Sequence, residues 1–139
     1  MGIISLLNIV PSQRRIEVGH VLFSKKLQRT TEATEACFVL MEYCFKLGYE
    51  RVEWKCNAEN MGSKRAALRL GFVEEGLFRR HMVVRGRRRD SWYGSVILEE
   101  WEVVKEALVE WLEAENFDEE GGQKKKVEEI REKLLRKLN

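Results

Sequence analysis

A chain of 139 residues suits one domain, or one domain with an appendage. Its 44% apolar and 35% charged residues describe a highly charged globular protein and exclude a disordered one. The net charge of +2 conceals a division: residues 1–98 carry 17 Lys/Arg against 10 Asp/Glu, and residues 99–139 carry 8 against 13. A basic body suits an anionic ligand and an acidic tail does not.

In chain order, residues 2–10 read as a strand rich in Ile, Leu and Val, followed by a turn at Pro11-Ser12-Gln13. Arg15 to Phe23 resumes as a second strand, so the pair is expected to form an antiparallel hairpin. Gly19, inside that second strand, marks a bulge or a close backbone approach. From Thr30 the apolar residues Ala33, Ala36, Cys37, Leu40, Met41, Cys44 and Leu47 recur at helical spacing over about four turns, and Gly48 ends the helix. Arg51 to Cys56 is then a short strand, which makes a βαβ unit with parallel pairing. Asn57 to Asn60 is a loop, and Asn60 or Gly62-Ser63 caps a helix over Lys64 to Leu70 that ends at Gly71.

Phe72 to Val84 and Ser91 to Leu98 read as long strands joined by a turn at Arg85 to Asp90. After Glu99 the pattern is helical, with Trp101, Val104, Leu108 and Trp111 on one face. Asp118 to Gln123 breaks it, and Lys124 to Leu138 forms a last amphipathic helix. No apolar run is long enough to cross a bilayer, and GIISLLNIV lacks the basic flank of a signal peptide. Cys37, Cys44 and Cys56 lack ligand spacing, and with only His20 and His81 beside them no metal site is expected. Buried free thiols imply a reducing, cytoplasmic location.

The turn Gln28-Arg29-Thr30-Thr31-Glu32-Ala33 sits where the first helix begins. Unpaired N–H groups and the positive end of the helix dipole meet there, which suits a phosphate. This piece, the R-V-E-W-K-C strand and the run N-x-x-S-x-R-A-A-L-R-L-G-F from Asn60 to Phe72 together resemble the GCN5-related N-acetyltransferase superfamily. The likeness spans roughly residues 2–101 and is nearest to the ribosomal-protein N-acetyltransferase-like branch. It implies an α/β fold of the acyl-CoA N-acyltransferase type, a mixed sheet splayed at its centre, with acetyl-CoA as co-substrate in the gap.

By that resemblance, residues 1–101 are a partial acetyltransferase domain that opens at about the family's third strand, and 102–139 are a helical extension. Gln28, Arg29, Thr30, Thr31, Glu32 and Ala33 match the pyrophosphate loop, with Thr31 standing where the family has Gly. Asn60 and Ser63 match the residues that hold the pantetheine and thiol end. Val21, Leu22 and Phe23 belong to the strand edge that meets the cofactor, and Glu17 is the candidate base. Alanine occupies position 67, where relatives place a proton-donating Tyr.

The implied activity is acetyl transfer to a primary amine of a protein N-terminus or small molecule. An inactive acetyl-CoA-binding or interaction fragment, and a possible homodimer, stand as alternatives. Six arginines between Arg79 and Arg89 suggest a third reading, nucleic-acid binding. That reading ranks last because no aromatic residues interleave with them.

Overall fold

The computed structural model describes residues 1–138. Strands β1 (Gly2–Val10) and β2 (Arg15–Phe23) pair antiparallel as the two apolar runs predict. Helix α1 (Thr31–Lys46) crosses to β3 (Arg51–Asn57), which lies parallel to β2 and completes the βαβ unit. Helix α2 (Met61–Leu70), strands β4 (Val73–Val84) and β5 (Arg87–Ile97), and helices α3 (Leu98–Leu112) and α4 (Val127–Leu138) follow. The strands form one mixed sheet in the order β1-β2-β3-β5-β4, parallel only between β2 and β3.

The alternation of side chains along each strand divides the sheet into two chemically different faces. Ile16, Val52 and Val96 stand opposite one another in a single row, with Trp54 opposite Gly94 and Cys56 opposite Trp92 in the next. Ile16, Val52, Trp54, Cys56, Trp92 and Val96 share one buried cluster with Cys37, Met41 and Cys44 of α1. Trp101, at the start of α3, stacks on Phe45 of α1 with ring centroids 4.6 Å apart. Gly94 is required here, because a Cβ on it would lie 2.5 Å from the Trp92 ring. Val127, Ile130 and Leu134 of α4 enter the same cluster, so the last two helices and the sheet share a core. The opposite face carries Glu17 on β2, Glu53 and Lys55 on β3, and Ser91, Tyr93 and Ser95 on β5.

Three boundaries differ from expectation. The β4–β5 turn is Arg85-Gly86 alone, both with positive φ (50° and 74°), and Arg87 to Asp90 belong to β5. A two-residue turn of that kind matches the twist of the flanking strands, and an all-polar run gives no alternation by which to recognise the strand. Helix α2 starts at Met61, directly after its Asn60 cap, whose side chain accepts the Ser63 N–H at 3.1 Å. Helix α4 starts at Val127, leaving Lys124, Lys125 and Lys126 outside it. Three cations at the positive end of a helix dipole are unfavourable, and Glu129 instead accepts the Lys126 N–H at 3.0 Å.

Candidate functional site

Strands β2 and β3 are paired only at Arg15–Arg51, Ile16–Val52 and Glu17–Glu53. Past those rows β2 stays with β1 and β3 stays with β5, so a gap opens between Val18–Phe23 and Trp54–Asn57. The divergence begins where β2 is bulged: Gly19 pairs with Ser5 but Leu22 pairs with Ile3, which leaves one extra residue on β2. His20 in this segment takes a left-handed φ of 48°. A Cβ on Gly19 would lie 2.6 Å from the Leu7 side chain, so both readings of that glycine hold. Val21, Leu22 and Phe23 lie on the diverging part of β2, and the Phe23 carbonyl accepts Gln28 Nε2 at 2.7 Å.

Gln28 thereby ties the end of β2 to the loop that leads into α1. Arg29 passes through a left-handed φ of 63°, and Thr30 is the N-cap, its Oγ1 accepting the Ala33 N–H at 3.2 Å and donating to Leu27 O at 2.7 Å. Thr31 occupies the first helical position and donates to Glu32 at 3.2 Å. The Glu32 carboxylate folds back over the helix start. Its own backbone N–H, then the Thr30 and Thr31 hydroxyls, hold its pKa below the usual carboxylate value. The six residues singled out in the sequence thus form one continuous turn that leads from the end of β2 into the first turn of α1.

At the start of α2, Asn60 is the cap described above, and Ser63 Oγ accepts Trp54 Nε1 at 3.0 Å. Cys56, at the end of β3, lies beside them. Burial pushes its thiol pKa up, opposed by a hydrogen bond with Ser63 and by the charges of Arg89 and Lys64. The starts of α1 and α2 therefore flank the two strands that diverge.

Glu17 sits at the last paired row, 2% exposed. Asn8 Nδ2 donates to its Oε2 at 2.6 Å, and Lys55 Nζ lies 3.4 Å from the same oxygen. The other oxygen, Oε1, is 3.4 Å from where a Cβ on Gly19 would stand, so it faces the point of divergence. The missing side chain at Gly19 keeps that approach open.

The structure also assembles residues that the sequence reading did not group with Glu17. Lys55 Nζ lies 5.9 Å from the centroid of the Tyr93 ring. Phe78 and His81 pack on Tyr93 with centroid distances of 4.4 and 5.7 Å. His81 Nδ1 is 2.9 Å from Oγ of the fully buried Ser91. The alternation in R-V-E-W-K-C places Lys55 on the Glu17 face, but the β4 partners depend on a bulge between Phe78 and Met82 that periodicity does not reveal. Among the described residues, no group of His, Cys, Asp or Glu is arranged to hold a metal, and no helix is long and apolar enough to cross a membrane.

A mixed sheet that splays between its two parallel strands, flanked there by two helix starts, defines the acyl-CoA N-acyltransferase type of fold. The profile described as "Acetyltransferase (GNAT) domain" matches residues 1–73. The chain belongs to the GCN5-related N-acetyltransferase family. It is 34% identical over 102 residues to the Bacillus subtilis protein named "Putative ribosomal N-acetyltransferase YdaF", covering 73% of this chain and 55% of that one. A GCN5-related N-acetyltransferase from Brucella melitensis superposes with a TM-score of 0.92 at 47% identity, over 94% of this chain and 60% of that one. A probable acetyltransferase of the family from Chromobacterium violaceum gives 0.70 at 44% identity, over 71% of this chain and 50% of its own. The chain spans about half the length of the curated relatives it matches.

Proposed function

We propose that this chain transfers an acetyl group from acetyl-CoA to a primary amine of a protein N-terminus or small molecule. The observation that carries this reading is the loss of β2–β3 pairing after Glu17 and Glu53, next to the starts of α1 and α2. The donor set fits the cofactor. The Gln28–Ala33 turn forms the N-terminal end of α1, where backbone N–H groups and the positive end of the helix dipole meet, so it suits the pyrophosphate. Asn60 and Ser63 are assigned to the pantetheine arm. When bound, acetyl-CoA supplies an activated thioester carbonyl. The N–H groups of Val21 and Leu22, on the diverging part of β2, are the donors assigned to its oxygen.

An amine attacks only when neutral. Deprotonating a lysine of ordinary pKa costs about 4–5 kcal/mol at pH 7, whereas a chain N-terminus costs about 1 kcal/mol. Glu17 is the proposed base, and its support is positional: Oε1 faces the divergence at Gly19 while Asn8 and Lys55 both engage Oε2. The smaller cost of deprotonation favours an α-amine as acceptor. Because α1 and α2 pack on the apolar face, the cofactor is assigned to that side and the amine to the side of Glu17, Lys55 and Tyr93.

Calorimetry and thermal unfolding with 1 mM acetyl-CoA test the reading, since saturation at a hundred times Kd adds about 2.7 kcal/mol. No stabilisation would sink it. Glu17→Gln is expected to keep that stabilisation and to lose roughly 10²-fold or more in transfer rate; an unchanged rate removes Glu17 as base.

A further inference from the structure

We infer that Asn8 is a positioning residue for acetyl transfer: its amide fixes the Glu17 carboxylate through one oxygen, so that the other is presented to the gap. The inference deepens the acetyl-transfer reading and rests on Glu17 as its base. Its starting point is the register of β1 on β2. Leu7 stands opposite Glu17 and Val10 opposite Arg15, so Asn8 and Ile9 together face Ile16 alone. β1 therefore carries one extra residue, a bulge.

The bulge re-aims a single side chain. Leu7 and Glu17 share a row and hence a face of the sheet. In a regular strand the next residue, Asn8, would turn to the opposite face, where Ile16 lies in the core. Instead Asn8 takes a left-handed φ of 45°, and its Nδ2 donates to Glu17 Oε2 at 2.6 Å. That backbone conformation is disfavoured for a residue with a Cβ, and Asn is among the few that tolerate it. Nothing apolar is gained in return: Asn8 is exposed and Ile9 is 53% exposed. The bond to Glu17 is the one hydrogen bond that the Asn8 side chain makes among the described residues.

That bond divides the two carboxylate oxygens between different tasks. Oε2 is held from both sides, by Asn8 of β1 and by Lys55 of β3, whose Nζ lies 3.4 Å away. Oε1 has no hydrogen-bond partner among the described residues and stands 3.4 Å from where a Cβ on Gly19 would be. An ammonium is a point charge with rotatable donors on a flexible stem, so Lys55 attracts the carboxylate without selecting its rotation about the last side-chain bond. A planar amide on a fixed backbone does select it. An ionised carboxylate only accepts hydrogen bonds, so position 8 must supply a donor.

The test uses the full chain with acetyl-CoA and a peptide beginning Ala-Asn-Gln as the amine. Asn8→Gly keeps the left-handed backbone and removes the amide. Asn8→Asp keeps the shape and tolerates the same φ, but puts an acceptor where the donor was. Both should lose roughly tenfold or more in kcat, with the KM for the peptide and the thermal stabilisation by acetyl-CoA unchanged. A purely structural role in the bulge would leave both variants active. The Asn8→Gly/Glu17→Gln double variant should be no slower than Glu17→Gln alone, because Asn8 acts through that carboxylate. Wild-type kcat in either Asn8 variant, or losses that multiply in the double variant, overturn the inference while Glu17 stands as base. A wild-type rate in Glu17→Gln, or no binding of acetyl-CoA, removes the reading on which the inference rests and overturns both.

Discussion

Replacing Arg131 by Ala should destabilise the whole domain, because this α4 side chain closes the C-terminal end of α2. Its Nη1 donates to Arg69 O at 3.0 Å and its Nη2 to Leu68 O at 3.1 Å. Leu68 O keeps a second partner in the variant, the Gly71 N–H at 3.1 Å, but Arg69 O loses the donor that Arg131 supplied. Hydrogen bonds from a charged donor contribute about 1.5–3 kcal/mol each, and a cation at a helix C-terminus adds up to about 2 kcal/mol when partly buried. Against this stands the cost of burying a guanidinium, visible in the Arg131 pKa, which desolvation lowers. The net expectation is a loss of about 2–3 kcal/mol. Arg131→Met should lose less than Arg131→Ala because it keeps the packing of the stem. Urea unfolding monitored by tryptophan fluorescence reads both, since Trp101 and Trp111 are buried in the same core. A loss below about 0.5 kcal/mol in Arg131→Ala would refute the claim that α4 holds α2 in place.

Three further outcomes follow from the site and the core. Glu32→Gln removes the carboxylate from the anion seat at α1 and should tighten acetyl-CoA binding roughly two- to fivefold at low salt, with less effect at high salt; weaker binding in calorimetry would contradict the seat. The Arg51 guanidinium, bound to Glu75 through both nitrogens, holds the Glu75 pKa below its ordinary value. Its contribution to stability is therefore full above the unfolded carboxylate pKa, near 4.3, and is lost as pH falls through the lower folded value. Glu75→Gln should flatten the acid limb of stability against pH, and an identical limb would remove this pair as a cause. Burial raises the Cys37 and Cys44 thiols to about 11, so neither should react with a thiol reagent at pH 8 until urea unfolds the chain, as mass spectrometry would show.

Helix α1 and the β1–β2 hairpin were legible because a single periodicity dominates each: helical spacing from Ala33 to Cys44, alternation around Ile16 and Val18. The parallel pairing of β2 and β3 followed from chain connectivity. What periodicity could not convey is where a ladder stops. The splay depends on the bulge at His20 and on which neighbour each strand keeps, and only the glycine at position 19 hinted at it. The β5 start was hidden because Arg87 to Asp90 present no apolar side, and the clustering of Phe78 and His81 on Tyr93 depends on a second bulge. Asn60 and Ser63 were singled out by motif, and the contacts they make in the structure are a helix cap and a hydrogen bond with Trp54.

The distribution of charge along the polar face bears directly on where an acceptor would bind. On the rows shared by β2, β3 and β5 the charges neutralise one another: Arg15 and Arg51 meet Glu53, Arg51 also meets Glu75, and Lys55 meets Glu17. These largely buried pairs leave no net charge to attract a ligand over the paired part of the sheet. Compensation ends where β3 ends, and from Arg79 to Arg89 the cations stand without carboxylate partners among the described residues. The six arginines of the hairpin thus add positive charge at the end of the sheet where the gap is open. An anionic acceptor would be steered toward that end of the sheet. A neutral amine gains nothing from the arrangement. Raising ionic strength should therefore lower kcat/KM for acidic acceptors and leave it nearly unchanged for neutral ones.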